Sequence, residues 1–363
     1  MAGFEGVKWA TKQMKYTLND KDFELCDADA RVFAVSKSIH YGLFLAFEGI
    51  RFYCRRKDNQ KLELVFLNWK QNLKRFQRGI AYNLGRNQQH LVPAIEEMES
   101  IFIRFFRSPA MLTFFGEMAD LDAQGYLRPF TVDEQQSIGV TFPMEPSIRA
   151  AVCRYDRYLG EPFSGVVVPN IVRAVSVNGT GELKLGSNYL ISVKAVDMAK
   201  MLDPSASTAL LLDDRTHLPI EERQITEWDT SCCLFALRDG SVIKIPENPL
   251  ILPSVTIQGI VVILRHKGVP VVERHLSYGE LIEYMQEDQL VAICSIGTAG
   301  ILNRCQKLGL TDADSKLIAT HSADETHPLY AKLSEARSIY WDIYKGKAEV
   351  PDGLDLNRYP LNE

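Results

Sequence analysis

The 363-residue chain is 46% hydrophobic, 24% charged and 10% aromatic, which is the composition of an ordinary folded protein. Its length exceeds that of a usual single core, so we expect two domains. The 41 basic and 46 acidic residues give a net charge of -5, which argues against non-specific binding to nucleic acid or to an anionic membrane.

The seven cysteines lack both the density of a disulfide scaffold and the spacing of a metal site. No stretch approaches the roughly 18 apolar residues that a membrane span needs, and the N-terminal residues lack the apolar core of a signal peptide. We therefore expect a cytoplasmic protein without a metal and without a membrane association.

The first half of the chain mixes strand-like and helical patterns. Alternating or continuous apolar runs predict strands at residues 32–35, 44–53 and 63–67, and helical spacing predicts helices at 69–78 and 92–106. This mixture indicates an α+β domain over residues 1–154.

A polar segment with Gly and Pro, YDRYLGEPFS, predicts a domain boundary. We place the interdomain linker at residues 155–168 and the C-terminal domain at 169–363. The runs GVVVPN and VRAVSV, which follow the polar segment, are typical of strands.

The second half alternates predicted strands with helices. The strands are expected at residues 210–212, 233–237, 271–274 and 290–295, and the helices at about 187–201, 256–267, 277–286 and 329–345. Ser277 followed by Glu280 predicts a capping box, and Gly268 and Gly346 predict helix C-termini. The tail after Gly346 carries no recognisable signal.

Lys184 is the first candidate for chemistry. In GELKLGSNYLISV it precedes an amphipathic helix instead of lying on the solvent face of that helix. Schiff-base chemistry needs a lysine that is fixed and partly desolvated. A solvated loop lysine is the plainer interpretation of this segment alone.

Two further segments could bind an anion, and one could supply a carboxylate. The amides of Val255 and Thr256 open a predicted helix after a Pro-containing turn, and CSIGTAGILN places a Gly-Thr-Ala-Gly turn after a strand. Glu227 stands just before another strand, where a buried carboxylate could keep a cofactor ring nitrogen protonated. Each signal is weak alone.

The order of these segments resembles that of the fold-type IV pyridoxal-phosphate enzymes, and most closely the branched-chain amino acid aminotransferases. The motifs that carry the resemblance are SIHYGLFLAFEGIRFY, NWKQNLKRF, GYLRPF, KLGSNY, ITEWDTSCCLF, ILPSVTIQGI and SIGTAGI, which span residues 39 to about 302. The resemblance implies an α+β two-domain fold with a smaller N-terminal α/β domain. The larger C-terminal domain would bind the cofactor and carry a mixed, barrel-like sheet flanked by helices.

The resemblance also implies the cofactor, pyridoxal 5'-phosphate, and the residues that hold it. Lys184 would bind it covalently and act as general base, and Tyr189 would hydrogen-bond its phenolic oxygen. Glu227 would meet the pyridine nitrogen. The amides of Val255 and Thr256, together with Thr298, would hold the phosphate.

Substrate-binding residues follow from the same resemblance. Thr298, Ala299 and Tyr126 would face the α-carboxylate, and Arg128 would suit the side-chain carboxylate of glutamate. A side-chain pocket would be formed by Phe47, Tyr158 and Tyr41, with Tyr41 supplied by the neighbouring subunit. A homodimer is therefore implied. Glu48 and Arg51 are expected to serve the fold.

Several positions depart from the family pattern. Asn68 stands where an arginine usually grips the phosphate, Cys233 replaces an asparagine, and Ser254 and Ile257 replace a glycine and an arginine of the phosphate turn. The segment TEWDTSCCLF is also one residue longer than usual, so Asp229 is an alternative to Glu227 at the pyridine nitrogen.

Three functions are compatible with the sequence. The first is transamination between an L-amino acid, apolar or an unusual biosynthetic intermediate, and a 2-oxo acid such as 2-oxoglutarate. The second is elimination, decarboxylation or cyclisation on the same cofactor, and the third is a non-catalytic dimeric scaffold.

Overall fold

The computed structural model describes residues 3–57, 60–159 and 163–361. The chain forms two compact units. The N-terminal unit comprises Phe4–Arg157, Leu183–Ser187 and the residues from Asp355 onward, and the C-terminal unit comprises Tyr158–Glu182 and Asn188–Leu354. Residues 163–168, assigned to the linker from the sequence, form a strand of the C-terminal unit. Within the described ranges, no helix is both long and apolar enough to cross a membrane.

Strands and helices are interspersed along the whole chain. The strands are β1 Gly3–Glu5, β2 Lys8–Trp9, β3 Lys12–Thr17, β4 Asp22–Asp27, β5 Ile50–Arg56, β6 Leu62–Leu67, β7 Gln124–Asp133, β8 Pro146–Tyr155, β9 Arg157–Leu159, β10 Phe163–Val168, β11 Thr208–Leu212, β12 Ile225–Trp228, β13 Cys232–Leu237, β14 Val242–Lys244, β15 Val271–Glu273, β16 Leu290–Gly297, β17 Ile301–Thr311, β18 Leu317–Ser322 and β19 Leu356–Pro360. The helices are α1 Lys37–His40, α2 Trp69–Tyr82, α3 Ile95–Phe106, α4 Pro109–Asp120, α5 Tyr189–Leu202, α6 Val255–His266, α7 Tyr278–Gln286 and α8 Pro328–Lys345.

The N-terminal unit is built on one antiparallel sheet in the order β19-β6-β5-β7-β8-β3-β4, with β2 beside β8. Its core is rich in aromatic rings from β5, β6 and the helices, including Phe52, Phe66, Trp69, Phe106 and Phe115. Edge-on and stacked ring pairs of this kind stabilise a core beyond simple area burial. The helices α2, α3 and α4 are therefore held firmly against the sheet.

The C-terminal unit contains a mixed sheet in the order β12-β11-β10-β17-β16-β13-β14-β15, with β18 beside β17. Strand β10 runs parallel to β11 and β17, and β14 runs parallel to β15, whereas the other pairs are antiparallel. Helix α5 places Ala195 and Ala199 against Val166 and Val168 of β10. The small alanine side chains let this helix approach the sheet closely.

Many of the sequence predictions are confirmed. The helices expected in the second half are present as α5 to α8, the Ser277 and Glu280 capping box forms, and Gly346 ends α8 at a φ of 69°. Helix α2 begins at Trp69 as predicted and continues to Tyr82. These helices carry their start and stop signals locally, so sequence patterns find them.

Three predictions were wrong. The strand expected at 32–35 is a loop that leads to the Ser36 cap of α1, and the strand expected at 44–53 begins only at Ile50. The run VRAVSV is also a loop, in which Arg173 and Ser176 make long-range side-chain contacts. In the segment before Ile50, Phe44 has a φ of 53°. Ala46 forms an isolated bridge with Leu185 and Phe47 forms one with Phe130, so no continuous β-ladder forms.

A buried ion pair anchors α2 to the start of β5. Arg75 donates to both carboxylate oxygens of Glu48, at 2.7 and 2.5 Å, and the Gly49 amide donates to the same carboxylate at 2.8 Å. Both side chains are almost completely buried. The expectation that Glu48 serves the fold agrees with this contact.

Replacing Arg75 by Leu should lower the free energy of unfolding by about 3–5 kcal/mol, because Glu48 would remain as an unpaired buried charge. Urea denaturation followed by tryptophan fluorescence measures the change. The control is Arg56→Leu, which removes an exposed pair with Asp120 and should leave the midpoint almost unchanged. Equal losses in the two variants would contradict this ranking.

Candidate active site

Lys184 lies in the short segment Leu183–Ser187 that belongs to the N-terminal unit. Its carbonyl accepts the Phe47 amide at 3.0 Å, Leu185 bridges Ala46, and the Gly186 amide donates to the Leu45 carbonyl at 2.8 Å. The lysine is thus held by main-chain pairing on both sides. These main-chain contacts fix its backbone.

The Lys184 amine lies 4.9 Å from the centre of the Phe47 ring. The Arg128 guanidinium lies 4.9 Å from the same ring and 5.1 Å from the Tyr126 ring, and it donates to the Tyr126 hydroxyl at 3.0 Å. Cations are attracted to the faces of aromatic rings at these distances. One unit therefore brings together four of the predicted site residues, Lys184, Phe47, Tyr126 and Arg128.

Gly49 makes this arrangement possible. A Cβ atom at this position would stand 2.0 Å from the Tyr126 hydroxyl oxygen, which is far closer than two non-bonded atoms can approach. Tyr126 and Arg128 are on the same face of β7 because alternate residues of a strand share a face. The glycine of the FEGIR motif thus leaves the space that the tyrosine hydroxyl fills.

The two remaining tyrosines of the predicted pocket differ in what the structure shows. Tyr41 is 45% exposed and its hydroxyl donates to the Ile138 carbonyl at 2.9 Å. The Tyr158 side chain lies outside the described part of the structure.

Glu227 is on β12 of the C-terminal unit, where it is buried. Its carboxylate forms an ion pair with Arg173 and accepts the Leu252 amide at 3.3 Å. Both side chains of the pair are at most 9% exposed. Because a buried carboxylate is costly unless it is paired, Arg173 accounts for the presence of a charged group at this position.

Asp229 faces a different set of groups. Its carboxylate accepts the Thr208 hydroxyl and the Ala209 amide, the latter at 3.2 Å, beside β11. Burial raises the pKa of the Asp229 carboxyl above its usual value. The two acids that the sequence left as alternatives therefore have separate surroundings, and only Glu227 is paired with Arg173.

The N-terminus of α6 follows the turn that reaches Glu227. Ser254 caps this helix by accepting the Ile257 amide at 3.3 Å. The first amides of a helix have no partner within it, so those of Val255 and Thr256 point along the positive end of the dipole. This is a suitable place for an anion. Ser254 has a φ of -88°, so its backbone does not need the glycine that it replaces.

Thr298 and Ala299 form the turn between β16 and β17. The turn ends at Ile301, whose φ of 63° is strained for a β-branched residue. A Cβ on Gly297, the residue before the turn, would lie 3.4 Å from the Ser231 side chain. The Gly-Thr-Ala-Gly turn is therefore beside the connection between β12 and β13.

Tyr189 is the first residue of α5 and is partly buried. One turn later, the Ser192 hydroxyl donates to the Asp229 carbonyl at 2.5 Å. This bond ties the start of α5 to the end of β12. The C-terminal unit thus places Tyr189, Glu227 and the α6 N-terminus on connected segments.

Comparison with known proteins points to one family. The chain matches no protein-family model. It is 24% identical over 331 residues to a probable branched-chain-amino-acid aminotransferase of Staphylococcus aureus, with 88% of this chain and 81% of the relative covered. It is 25% identical over 270 residues to branched-chain-amino-acid aminotransferase 2 of Bacillus subtilis, with 73% and 67% covered.

Solved structures show the same fold. The branched-chain amino acid aminotransferase of Escherichia coli aligns with a TM-score of 0.66 at 19% identity, over 97% of this chain and 100% of that one. The enzyme of Thermobaculum terrenum, solved in its PLP form, aligns with a TM-score of 0.64 at 17% identity, over 96% and 99%. The chain has the fold of these branched-chain aminotransferase structures. The predicted α+β fold is confirmed.

Two departures from the aminotransferase pattern have clear structural surroundings. Asn68, with a φ of 55°, donates its amide to the Asp355 carbonyl at 2.7 Å, and its side-chain oxygen accepts the Asp355 amide at 3.0 Å. The buried Cys233 thiol lies 3.5 Å from the Thr226 carbonyl, and burial raises its pKa well above the usual value. Asn68 thus anchors the C-terminal tail, and Cys233 contributes to the core.

Arg173 is the site residue that sequence reasoning missed. It belongs to VRAVSV, whose apolar alternation predicted a strand, and its partner Glu227 is 54 positions away. A single arginine between apolar residues was the available signal, because arginine in a buried run needs a carboxylate or carbonyl partner.

We expect Asp229→Asn to stabilise the protein at neutral pH. A carboxyl whose pKa is raised on folding contributes its stability below the pKa of the unfolded chain and loses it as the pH rises through the folded pKa. The stability of Asp229→Asn relative to the parent should therefore increase as the pH rises from the pKa of an unfolded aspartate through the raised pKa of the folded protein, and should then level off. Urea denaturation across this range measures the difference, and a difference that does not vary with pH would contradict the assignment.

Proposed function

We propose that the protein is a pyridoxal-phosphate-dependent aminotransferase that moves an amino group between an L-amino acid and a 2-oxo acid. The observation that carries the proposal is the grouping of the Lys184 amine, the Phe47 ring and the Arg128–Tyr126 pair. An amine that shares an aromatic neighbour with a cation and a hydroxyl suited to a carboxylate is what a reaction of amino acids requires. Relatives named as aminotransferases support this function over elimination, decarboxylation, cyclisation or a scaffold.

Several groups of the chain are of the kinds that pyridoxal 5'-phosphate needs. Lys184 supplies an amine for covalent attachment, and the buried Glu227 supplies a carboxylate for the pyridine nitrogen. The capped N-terminus of α6, with Val255 and Thr256, suits the phosphate, and Thr298 would assist there. Tyr189 would bind the phenolic oxygen. When bound, the cofactor supplies an electron sink for the bond-breaking at the α-carbon.

The protein's own residues would then position the substrate and move one proton. Arg128 and Tyr126 would bind a substrate carboxylate, with Thr298 and Ala299 at the α-carboxylate. The Lys184 amine would take the proton from the α-carbon and deliver it to the cofactor side. The fixed backbone of Lys184 supports this role because a general base must stay within hydrogen-bond reach of its proton.

Phe47 supports an apolar substrate side chain. Its ring already contacts the Lys184 amine and the Arg128 guanidinium, so a side chain placed beside the amine meets an aromatic surface. We therefore propose an apolar, branched-chain-like amino acid or an unusual biosynthetic intermediate as donor. A 2-oxo acid such as 2-oxoglutarate would be the acceptor, with Arg128 at its distal carboxylate. All seven cysteines are free thiols, which supports a location in the cytoplasm.

Absorption spectroscopy tests the proposal. The parent mixed with pyridoxal 5'-phosphate should develop a yellow band that an apolar L-amino acid bleaches and a 2-oxo acid restores. Lys184→Ala should not form this band, because the attaching amine is absent. Lys194→Ala is the matched control, since Lys194 lies on α5 beyond the KLGSNY motif, and it should behave like the parent.

Two results would oppose the proposal. An identical band in Lys184→Ala would show that another amine binds the cofactor. Turnover of an amino acid without a 2-oxo acid acceptor would favour elimination or decarboxylation over transamination.

We also propose that the protein is a homodimer. Eight apolar residues of the N-terminal unit are each at least 37% exposed: Phe33, Val35, Ile39, Tyr41, Ile138, Val140, Phe142 and Met144. Their two segments are joined by the Tyr41–Ile138 bond and by a 3.0 Å bond from the Ser137 amide to the Val35 carbonyl. Contiguous apolar surfaces of this kind mark interfaces. Tyr41, on this surface, would reach the pocket of the partner subunit.

Sedimentation analysis tests the dimer. The parent should sediment at about twice the 41.0 kDa of one chain, and a variant with Ile138→Asp and Val140→Asp should sediment as a monomer, because two carboxylates would have to be desolvated at the interface. Ile318→Asp, an exposed apolar position of the C-terminal unit, should remain dimeric. A dimer that persists in the double variant would place the interface elsewhere.

A further inference from the structure

We infer that Arg173 is a positioning residue for the cofactor site: it fixes the Glu227 carboxylate and the main chain of two segments that lead to other site residues. The inference rests on the proposed function. Arg173 lies in the C-terminal unit, outside the seven segments that carry the resemblance and outside the residues to which a role has been assigned.

The contacts of one guanidinium nitrogen define the role. Nη2 of Arg173 donates to the Glu227 carboxylate, to the Gly181 carbonyl at 3.2 Å and to the Leu250 carbonyl at 3.0 Å. The arginine side chain is 9% exposed and the glutamate side chain 5% exposed. Three segments that are distant in the chain therefore meet at one buried cation.

Each of these segments contains or continues directly into a site residue. Gly181 is three residues before Lys184, and Leu250 precedes Ser254, the cap of the helix whose first amides suit the phosphate. Glu227 also accepts the Leu252 amide at 3.3 Å, so the turn before α6 is held from both members of the pair. Replacing Arg173 would remove contacts from all three segments at once.

Close packing supports this tight geometry. A Cβ on Gly181 would lie 2.5 Å from the Pro249 carbonyl and 2.6 Å from the Ala174 side chain. The loop before Lys184 thus presses directly on the turn before α6 within the C-terminal unit. Arginine suits this place because its planar group presents several donors in a fixed geometry, whereas lysine offers a single flexible point charge.

Arg173 also acts through its charge. A cation in contact with Glu227 favours the ionised carboxylate. This form accepts a hydrogen bond from a protonated ring nitrogen. The same positive charge opposes protonation of any neighbouring base, so it would lower the proton affinity of the bound cofactor. Arg173 should therefore orient the Glu227 carboxylate and also lower the proton affinity of the bound cofactor.

The variants Arg173→Gln and Arg173→Lys separate the two effects. In Arg173→Gln, the dissociation constant of pyridoxal 5'-phosphate should rise about tenfold, because the site segments are held less firmly. The pH midpoint of the Lys184-dependent absorption band should move up by about one unit, because the positive charge that opposes protonation is lost. In Arg173→Lys, the charge remains, so the midpoint should stay near that of the parent. Hydrogen–deuterium exchange of residues 171–182 in the apoprotein should increase in both variants.

Arg223→Gln is the matched control. Arg223 is also a buried arginine of the C-terminal unit, and it lies 3.6 Å from the Asp213 carboxylate and donates to the Pro169 carbonyl at 2.7 Å. This substitution should lower stability without moving the pH midpoint. A structural role alone would make Arg173→Gln and Arg223→Gln behave alike.

A parental affinity and pH midpoint in folded Arg173→Gln would overturn the inference, as would a shift of equal size in Arg223→Gln. If Arg173→Gln does not fold, hydrogen–deuterium exchange of residues 171–182 in Arg173→Lys is the deciding measurement. Exchange equal to that of the parent would overturn the inference. If the parent itself forms no Lys184-dependent band, the proposed function fails, and exchange in the apoprotein still tests whether Arg173 holds the loop.

Discussion

The ion pair between Glu227 and Arg173 is the interaction on which the arrangement of the C-terminal unit depends. A carboxylate inside a protein must be paired, and the partner of this one also reaches the Gly181 and Leu250 carbonyls. The loop that leads to Lys184 and the turn that leads to α6 are thus fixed by the charge that keeps Glu227 buried. The same ion pair therefore places a carboxylate suited to a ring nitrogen and holds the two segments beside it.

The N-terminal unit uses a similar buried pair for a different purpose. Glu48 and Arg75 connect β5 to α2, directly beside Phe47, whose amide donates to the Lys184 carbonyl. Phe47 then offers its ring to the Lys184 amine and to Arg128. Buried structural charges therefore support the residues to which chemistry is assigned. This division agrees with the general need to hold a reactive group by rigid surroundings.

Sequence patterns found six of the eight helices, several of their caps and the motif around Lys184, because these signals are local, but they gave no sign of α1 and α4. They missed the contacts between residues far apart in the chain. Arg173 and Glu227 are 54 positions apart, and the Asp355 amide bonds to Asn68 across 287 positions, so neither partner could be identified from its neighbours. The same limit explains the wrong strand prediction at VRAVSV, since apolar alternation does not reveal that side-chain contacts of Arg173 and Ser176, and not a β-ladder, hold the segment. Resemblance predicted the fold class, whereas the separate surroundings of Glu227 and Asp229 depend on contacts with residues distant in the chain.

The attachment of the cofactor to Lys184 is the step on which the proposed function depends, and peptide mapping after borohydride reduction tests it most directly. The protein is incubated with pyridoxal 5'-phosphate, reduced, digested and analysed by mass spectrometry, so that a covalent bond to an amine becomes permanent and can be located. We predict one dominant modified peptide, containing KLGSNY, with the added mass on Lys184. Modification spread over exposed lysines, with Lys184 unmodified, would contradict this attachment.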